Sequence, residues 1–329
     1  DYWMDTFAKS GRKATTCTNY KSYYCTYVKE TIGKKIITKI TKADCQKIIN
    51  EMIESGKKHS TMANLKSCLN IVFECAIDDD VIVKNPAKNL QIPQTGSKKR
   101  TTIEEKHIKI FMNYVRNSEQ YSYSYSAFVI LFNLGVRVGE MAALTWSDVD
   151  FKNGIISINK TVNRYRKADY GFTMGVASTK SKTSDRNIPM NSVVRSTLLK
   201  LKMKNTPSLA KLPYVDDSGH IRGEIDGFIF TNTVGNVWNE PSFLNLINRI
   251  TEKYNKEAKE RGLEQIGEFC PHMARHTYTS LAYSAGADVK IVSQILGHAS
   301  TAITMDTYTH LTNEKRRQQE KVAQTIKIS

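Results

Sequence analysis

Residues 271–277 of the chain read PHMARHT, residues 296–298 read LGH and residues 304–311 read TMDTYTHL. These neighbouring stretches supply histidines able to move protons, a guanidinium fork and a phenol. Far upstream, residues 135–140 read GVRVGE and supply a second fork. Two arginines, a His-x-x-Arg step and a late tyrosine are suited to attack on a phosphodiester without a metal ion. These stretches therefore indicate both the fold and the chemistry of the chain.

The positive charge of the chain is shared evenly between its two parts. The 329 residues include 48 Lys and Arg against 32 Asp and Glu, a formal net charge of +16. This length suits two domains. Up to and including Arg100 there are 18 basic and 10 acidic residues, and beyond it 30 and 22, so each part carries +8. This distribution favours two basic bodies that grip a polyanion, and a charge that only aids solubility is the alternative.

Cysteine usage and hydropathy bound the compartment. None of the six cysteines lies in a Cys-x-x-Cys step, which predicts small buried thiols in a reducing cytosol and neither a disulfide framework nor a zinc site. There is no signal-peptide pattern and no apolar run of membrane-spanning length. We therefore expect a cytoplasmic protein that uses no membrane, and the chemistry of the quoted stretches needs no cofactor and no metal ion.

The first part of the sequence is helical in pattern. From Thr16 to about Leu90, apolar residues recur three and four positions apart. Residues 41–44 read TKAD, which predicts the N-terminal cap of a helix, and Pro86 predicts the start of a short further helix. Residues 1–91 are thus expected to form a small all-helical domain.

The second part is mainly helical with a few strands. Residues 92–100 are turn-rich and basic, as expected of a linker, and Thr102 with Glu105 predicts a capping box. The predicted strands are 154–162, 186–190 and a weaker 173–177, and the predicted helices are 193–204, 241–261, 272–284 and 287–296. The expected class is α+β, mainly α with a small antiparallel sheet. Residues 101–311 form the second domain and 312–329 a C-terminal tail.

The two arginines are candidates for binding one phosphate. Glu140 lies one helical turn after Arg137, within reach of its guanidinium, although such a pair is often only a solvated ion pair. His272 and Arg275 share a face at the start of a helix whose free N–H groups favour a phosphate. Arg137 and Arg275 together would clamp the non-bridging oxygens of a scissile phosphate.

The remaining candidates would move protons and attack. Tyr308 is the candidate nucleophile, and because a phenol has a pKa near ~10 it needs a base or an electropositive site. His272 is the candidate base, and His298 would donate a hydrogen bond to the phosphate. Lys180 or Lys182 would protonate the leaving 5′ oxygen, and the offset from the end of the second strand favours Lys180.

In this order the stretches resemble the tyrosine recombinase (phage integrase) family. The phrases LGH and TMDTYTHL are most similar to integrases of Gram-positive conjugative transposons, and the resemblance covers residues 1–311. It implies the tyrosine recombinase catalytic fold, with a pocket formed by Arg137, Lys180, His272, Arg275 and His298 and with Tyr308 as the nucleophile.

The resemblance also implies how such an enzyme works. A C-shaped clamp closes round duplex DNA, with residues 1–91 as a SAM-like core-binding domain. Strands are exchanged through a 3′-phosphotyrosyl intermediate and a Holliday junction in a tetramer, which excises and inserts a mobile element. The partners implied are transposon ends, a target site and an excisionase or DNA-bending accessory protein. The tail is expected to pass between protomers, and an N-terminal arm-binding domain is expected to be absent.

Three other classes compete with this interpretation. A type IB topoisomerase resembles the family in its phosphotyrosine chemistry but relaxes DNA as a monomer. Residues 284–296 also resemble the turn and recognition helix of a helix-turn-helix regulator, which leaves Arg137 and Tyr308 unexplained. A transposase that uses carboxylates and a metal ion is the third, and cleavage in a chelator would exclude it.

Overall fold

The structure is a computed structural model that describes residues 14–93, 102–166, 172–179, 184–204 and 208–297. Within it, the chain divides into two compact units. The helices before residue 99 belong to the first unit, and the helices after residue 100 belong to the second. The predicted linker and tail fall largely or wholly on residues 94–101 and 298–329, which lie outside the described residues. Within the described ranges, none of the helices is both long and apolar enough to cross a membrane.

The first unit is a bundle of helices around an apolar core. Its helices are α1 (Ala14–Tyr23, continued by a π-helical turn at Tyr24–Val28), α2 (Lys42–Glu54) and α3 (His59–Asp78). Short 3₁₀ turns lie at Ile32–Lys34 and Ile37–Lys39. Ile49 of α2 and Leu65 of α3 are completely buried in this core. Burying each such side chain stabilises the fold by about 1.5–3 kcal/mol.

The predicted cap of α2 is confirmed, and the predicted helix at Pro86 is wrong. Thr41 N donates to Asp44 Oδ2 at 2.9 Å, and Asp44 N donates to Thr41 Oγ1 at 3.3 Å, which forms a complete capping box. Residues 86–89 instead form a turn, since Asn89 has a left-handed φ of 59°. A helix cannot continue through such a residue.

The second unit begins with helices packed around one that is largely buried. These helices are α4 (Glu105–Asn117), α5 (Tyr125–Leu134) and the short α6 (Val138–Ala142). Phe128 of α5 packs edge-on against Phe111 of α4, with ring centroids 4.9 Å apart. Because six of the ten residues of α5 are buried, this helix lies in the core and gives the residues after its end a rigid base.

The predicted capping box at Thr102 is wrong. Helix α4 starts at Glu105, and Glu104 occupies the cap position without a side-chain hydrogen bond. Ile103 is buried, and its backbone N–H donates to Thr277 Oγ1 at 3.0 Å. The segment before α4 is therefore held by a distant helix instead of by its own cap.

Two small sheets complete the second part of the chain. Their strands are β1 (Val149–Asp150), β2 (Ile155–Ile158), β3 (Lys160–Arg166), β4 (Phe172–Ser178), β5 (Arg186–Pro189), β6 (Leu212–Val215) and β7 (Ile221–Ile225). The strand order is β1-β2-β5 in one sheet and β3-β4-β6-β7 in the other. The single strand predicted at 154–162 is thus two strands in different sheets, and β4 pairs with β6 in parallel. Mainly α with small sheets is nevertheless the class observed, as predicted.

The remaining helices agree with the prediction to within two residues. They are α7 (Ser192–Lys204), α8 (Glu240–Glu260), α9 (Pro271–Ser284) and α10 (Val289–Leu296). Gly297 ends α10 in the left-handed conformation, with φ 65°. The end of α10 contacts α9 through Arg275 and the start of β5 through Arg186. The start of β5 in turn contacts α6 through Glu140.

Candidate functional site

Arg137 stands between α5 and α6 and is held there by Glu140. Its backbone is extended, and its N–H donates to Glu140 Oε2 at 2.9 Å. Its Nη1 donates to Glu140 Oε1 at 2.7 Å, so the predicted contact between the two side chains is confirmed. The side chain of Arg137 is 40% exposed. Glu140 therefore holds the guanidinium on one side, and the exposed part of the side chain is accessible to a ligand.

Gly135 lets α5 end where two other helices pack. Its φ is +60°, and a Cβ there would lie 2.6 Å from Cδ1 of Tyr278 and 2.9 Å from Cδ2 of Leu296. A side chain at this position would therefore be strained by the backbone conformation and would clash. The close approach also brings the Gly135 carbonyl to Arg275.

Glu140 is a buried carboxylate shared by two arginines. Its side chain is 3% exposed and accepts from Arg186 Nη2 at 2.9 Å as well as from Arg137. Burial alone raises the pKa of this carboxyl, but the hydrogen bonds and positive charges of Arg186 and Arg137 outweigh burial and hold the pKa below its ordinary value. Glu140 is consequently an anion that orients both guanidinium groups.

Arg275 is buried and held by two backbone carbonyls. It is 5% exposed, Nη1 donates to Gly135 O at 2.9 Å, and Nη2 donates to Leu296 O at 2.6 Å. Burial, with the nearby charge of Arg137, lowers the pKa of this guanidinium to about 9, which still leaves it charged at neutral pH. Its remaining N–H groups suit an anion, because a buried cation is stabilised most by a partner of opposite charge.

His272 lies in the first turn of α9, one turn before Arg275. Pro271 is the first residue of this helix, as predicted, and His272 is largely exposed. Its Nε2 lies 3.5 Å from Oε1 of Glu240, a residue at the start of α8. An exposed imidazole is accessible to a bound group and can exchange a proton with it.

These groups meet in one cleft with a volume of about 310 Å³. It is lined by Val136, Arg137, Val138, Gly139, Glu140, Thr161, Val162, Asn163, Thr179, Ser184, Glu240, Pro271, His272 and Arg275. The structure thus brings together four of the predicted site residues, from two separate parts of the sequence. The other four, Lys180, Lys182, His298 and Tyr308, lie outside the described residues, so their roles stay predictions.

Sequence reasoning missed Arg186 and Glu240. A signal for Arg186 was present, because residues two apart in a strand share a face, and Ile188 is buried. An arginine on a buried face needs a partner, which here is Glu140. Glu240 carried no comparable signal, since an acidic residue in the first turn of a helix is common.

Within the described ranges, no cluster of three or more His, Cys, Asp or Glu side chains could hold a metal ion. The six cysteines, all within the described ranges, form no disulfide, and Cys45 and Cys68 are buried. The expectation that the reaction needs neither metal nor cofactor stays a prediction for experiment.

Comparison with protein-family models gives two matches. Residues 101–315 match the phage integrase family, and residues 1–92 match the phage integrase central domain. Among curated proteins, the chain is 25% identical over 321 residues to a tyrosine recombinase XerC-like protein of Caldanaerobacter subterraneus subsp. tengcongensis, which covers 94% of this chain and 77% of that protein. It is 26% identical over 289 residues to the transposase from transposon Tn916 of Enterococcus faecalis, which covers 86% of this chain and 66% of that protein.

Solved structures show the same fold. The Tn1549 transposon integrase in complex with a circular intermediate DNA matches with a TM-score of 0.76 at 24% identity, over 93% of both chains. A lambda integrase dimer bound to a COC' core site matches with a TM-score of 0.62 at 17% identity, again over 93% of both chains. The fold is therefore the tyrosine recombinase catalytic fold.

Proposed function

The chain belongs to the phage integrase family, and from this membership we propose how its residues cut and rejoin DNA. The enzyme is a site-specific DNA recombinase of the tyrosine type, similar to the integrases of conjugative transposons. The proposal concerns the role of each site residue, the DNA partner and the assembly. The observation that supports it most is that two arginines and His272 line one cleft.

Arg137 and Arg275 hold the scissile phosphate from two sides. Each is fixed by buried contacts on its far side, Arg137 by Glu140 and Arg275 by two carbonyls. Preorganised donors of this kind stabilise the charge that builds on the pentavalent phosphorus without reorganising during the reaction. His298, two residues beyond the end of α10, donates a further hydrogen bond to the same phosphate.

The cleavage step exchanges one phosphoester for another. The Tyr308 oxygen attacks the phosphorus and loses its proton to His272, and a 3′-phosphotyrosyl bond forms as the bond to the 5′ oxygen breaks. Lys180, or Lys182 in its place, gives a proton to that 5′ oxygen. A 5′ hydroxyl of the partner strand then attacks the phosphotyrosine and releases Tyr308. Because the number of phosphoester bonds is conserved, no external energy source is required.

The partner is duplex DNA at the ends and target of a mobile element. The net charge of +16 supports binding to a polyanion, and the matched lambda integrase was solved as a tetramer bound to a Holliday junction. Residues 1–91 form the core-binding domain, 101–311 the catalytic domain, and 312–329 the tail passed between protomers. The active form is a tetramer in the bacterial cytoplasm, assisted by an excisionase or DNA-bending protein.

Covalent trapping tests the chemistry. A nicked suicide duplex that carries the junction of the encoding element with its flanking DNA should yield a protein–DNA adduct, stable in a denaturing gel, at the same rate in EDTA as in magnesium. Dependence on magnesium would instead favour the metal-dependent transposase. Joined products from two separate duplexes distinguish a recombinase from a type IB topoisomerase, which would relax supercoiled DNA without exchanging strands.

A further inference from the structure

Arg186, the first residue of β5, is buried behind Glu140, although the proposed reaction gives it no part. Its side chain is 6% exposed. Nη2 donates to Glu140 Oε2 at 2.9 Å, and Nη1 donates to Glu140 Oε1 at 3.3 Å and to Ser184 O at 3.0 Å. Nε donates to the backbone carbonyl of Ile295 at 2.5 Å. Arg186 therefore joins the carboxylate to the end of α10 with every nitrogen engaged.

The end of α10 is capped by arginine side chains. The last carbonyls of a helix have no partner within the helix, and the helix dipole is negative there. In α10 the Ile295 carbonyl accepts from Arg186, and the Leu296 carbonyl accepts from Arg275. Two buried cations thus fix the end of α10, after which the sequence continues through Gly297 to His298.

These contacts form a closed ring. Arg137 pairs with Glu140, Glu140 pairs with Arg186, and Arg186 and Arg275 hold the same helix end. Arg275 closes the ring at the carbonyl of Gly135, two residues before Arg137. Removing one link of such a ring frees the groups on both sides of it.

We propose that Arg186 is a positioning residue that sets the placement of Arg137 and Arg275 and the exit of the chain from α10. The guanidinium of Arg186 contacts both oxygens of Glu140, whereas the guanidinium of Arg137 contacts Oε1 alone, through Nη1. Without Arg186, Glu140 would face Arg137 alone among its bonded partners and would draw the whole guanidinium into a bidentate pair, away from the phosphate. This inference rests on the proposed use of both arginines against that phosphate.

The test compares Arg186→Met and Arg186→Lys in single-turnover trapping of the suicide duplex. Arg195→Met is the matched control, because Arg195 is also an arginine that donates to a backbone carbonyl, that of Phe151, but it is exposed on α7. We expect Arg186→Met to cleave roughly 100-fold more slowly, since misplacement by about 1 Å has an effect of that order. Arg186→Lys should be impaired too, because one ammonium cannot span Glu140 and Ile295. The control should cleave like the wild type, and all variants should bind the duplex equally.

The pH profile separates positioning from general destabilisation. The charged groups that face Glu140 are Arg137, Arg186 and, at longer range, Arg275. With Arg186 removed, burial should raise the pKa of Glu140, so that lowering the pH from about 8 to about 5 protonates it, releases Arg137 from the bidentate pair and narrows the difference in rate from the wild type. Adding Glu140→Gln to Arg186→Met should abolish this additional pH dependence. A slow variant whose profile parallels the wild type would show that Arg186 has a structural role only, and would overturn the inference.

Two further outcomes are decisive. If Arg186→Met does not fold, Arg186→Lys decides, and a wild-type rate in that variant contradicts the inference. Hydrogen exchange of the free protein decides it without DNA: exchange in the last turn of α10 should be faster in Arg186→Met and unaltered in Arg195→Met. Equal exchange in both contradicts the ring. A wild type that never traps DNA contradicts the proposed function, whereas exchange still reports on Arg186.

Discussion

The cores of the two units are built from different side chains. Every polar or charged residue that is buried in the described part of the chain lies in the second unit, and Glu140, Asp148 and Arg275 are among them. In the first unit the buried side chains, among the described residues, are all apolar, as at Ile49 and Leu65. The two cores therefore answer to different requirements.

The contrast between the two cores indicates which buried residues contribute to stability and which contribute to the proposed chemistry. Each buried methylene group stabilises the folded state. Buried ionic groups stabilise it only if their interactions outweigh the free energy lost when they are removed from water. In the second unit Glu140 and Arg275 both line the cleft, where Glu140 holds Arg137 and Arg275 faces the DNA phosphate in the proposed reaction. Damage to the first unit should thus appear as lost stability, and damage to the second as lost chemistry.

The largest effect on cleavage should come from removing one hydroxyl group, that of Tyr308. Tyr308→Phe removes the proposed nucleophile, so no adduct should form in covalent trapping, while affinity for the duplex stays unchanged. A mobility-shift measurement at several salt concentrations provides the control. An adduct formed by this variant would assign the nucleophile to another tyrosine.

Next in size is the loss of either guanidinium fork. Arg137→Lys and Arg275→Lys keep the charge but replace a planar fork with a point charge, and each should slow single-turnover cleavage on the order of 100- to 1000-fold. The lysine at position 275 also loses one of the two carbonyl contacts. A loss below about tenfold for both variants would contradict the clamp, since even one transition-state donor is worth more.

A smaller effect, of the other kind, is expected in the first unit. Thr41→Ala removes the side-chain cap of α2 and should lower the stability of that unit by about 1 kcal/mol without changing the cleavage rate. Hydrogen exchange of the amides of Lys42–Glu54 measures it, with the exposed Ser60→Ala on α3 as the control. If Thr41→Ala slowed cleavage as strongly as an arginine variant, the contrast between the units would fail.

The smallest effect concerns acid. A hydrogen bond from Lys35, followed by those from Thr41, lowers the pKa of Asp44 to about 2. A carboxyl with a lowered pKa stabilises the folded state above its unfolded pKa of about 4 and loses that contribution as the pH falls through the folded value. Protection of α2, corrected for intrinsic exchange, should therefore decline between those values.

Asp44→Asn supplies the comparison for that measurement. The amide cannot ionise, so protection of α2 in this variant should depend less on pH over the same range. An equal decline in Asp44→Asn and in the wild type would assign the acid sensitivity to another group.

Local patterns were enough to predict most of the helices and the four site residues that line the cleft. Arg137 with Glu140, and His272 with Arg275, are three residues apart, a spacing that places side chains on one helical face before any tertiary structure is known. Arg186 was seen only as a strand residue, because its partners Glu140 and Ile295 are 46 and 109 positions away. Contacts at such separations leave no periodic signal.

The missed strands have a different cause. Pro213 lies within β6, and a proline normally argues against a strand. In β7 the first four residues are exposed, so the sequence shows no alternation of apolar and polar residues. The predicted strand at 154–162 is two strands, because the chain passes from one sheet to the other at Asn159. Periodicity alone cannot show such a change of sheet.

The hydrogen bond from Ile103 to Thr277 has a consequence for synthesis on the ribosome. The two residues are 174 positions apart, and Arg275 reaches back 140 positions to Gly135. The described helices of the first unit all lie before residue 99, so they can pack together once they have emerged. The second unit must wait for its last helices, roughly 10–40 s later at the ~5–20 residues per second of protein synthesis. During that interval α5, of which six of the ten residues are buried in the folded unit, lacks part of the core that covers it. A ribosome-bound fragment that lacks the last helices therefore cannot cut DNA in the proposed reaction, because the cleft forms only when those helices are present.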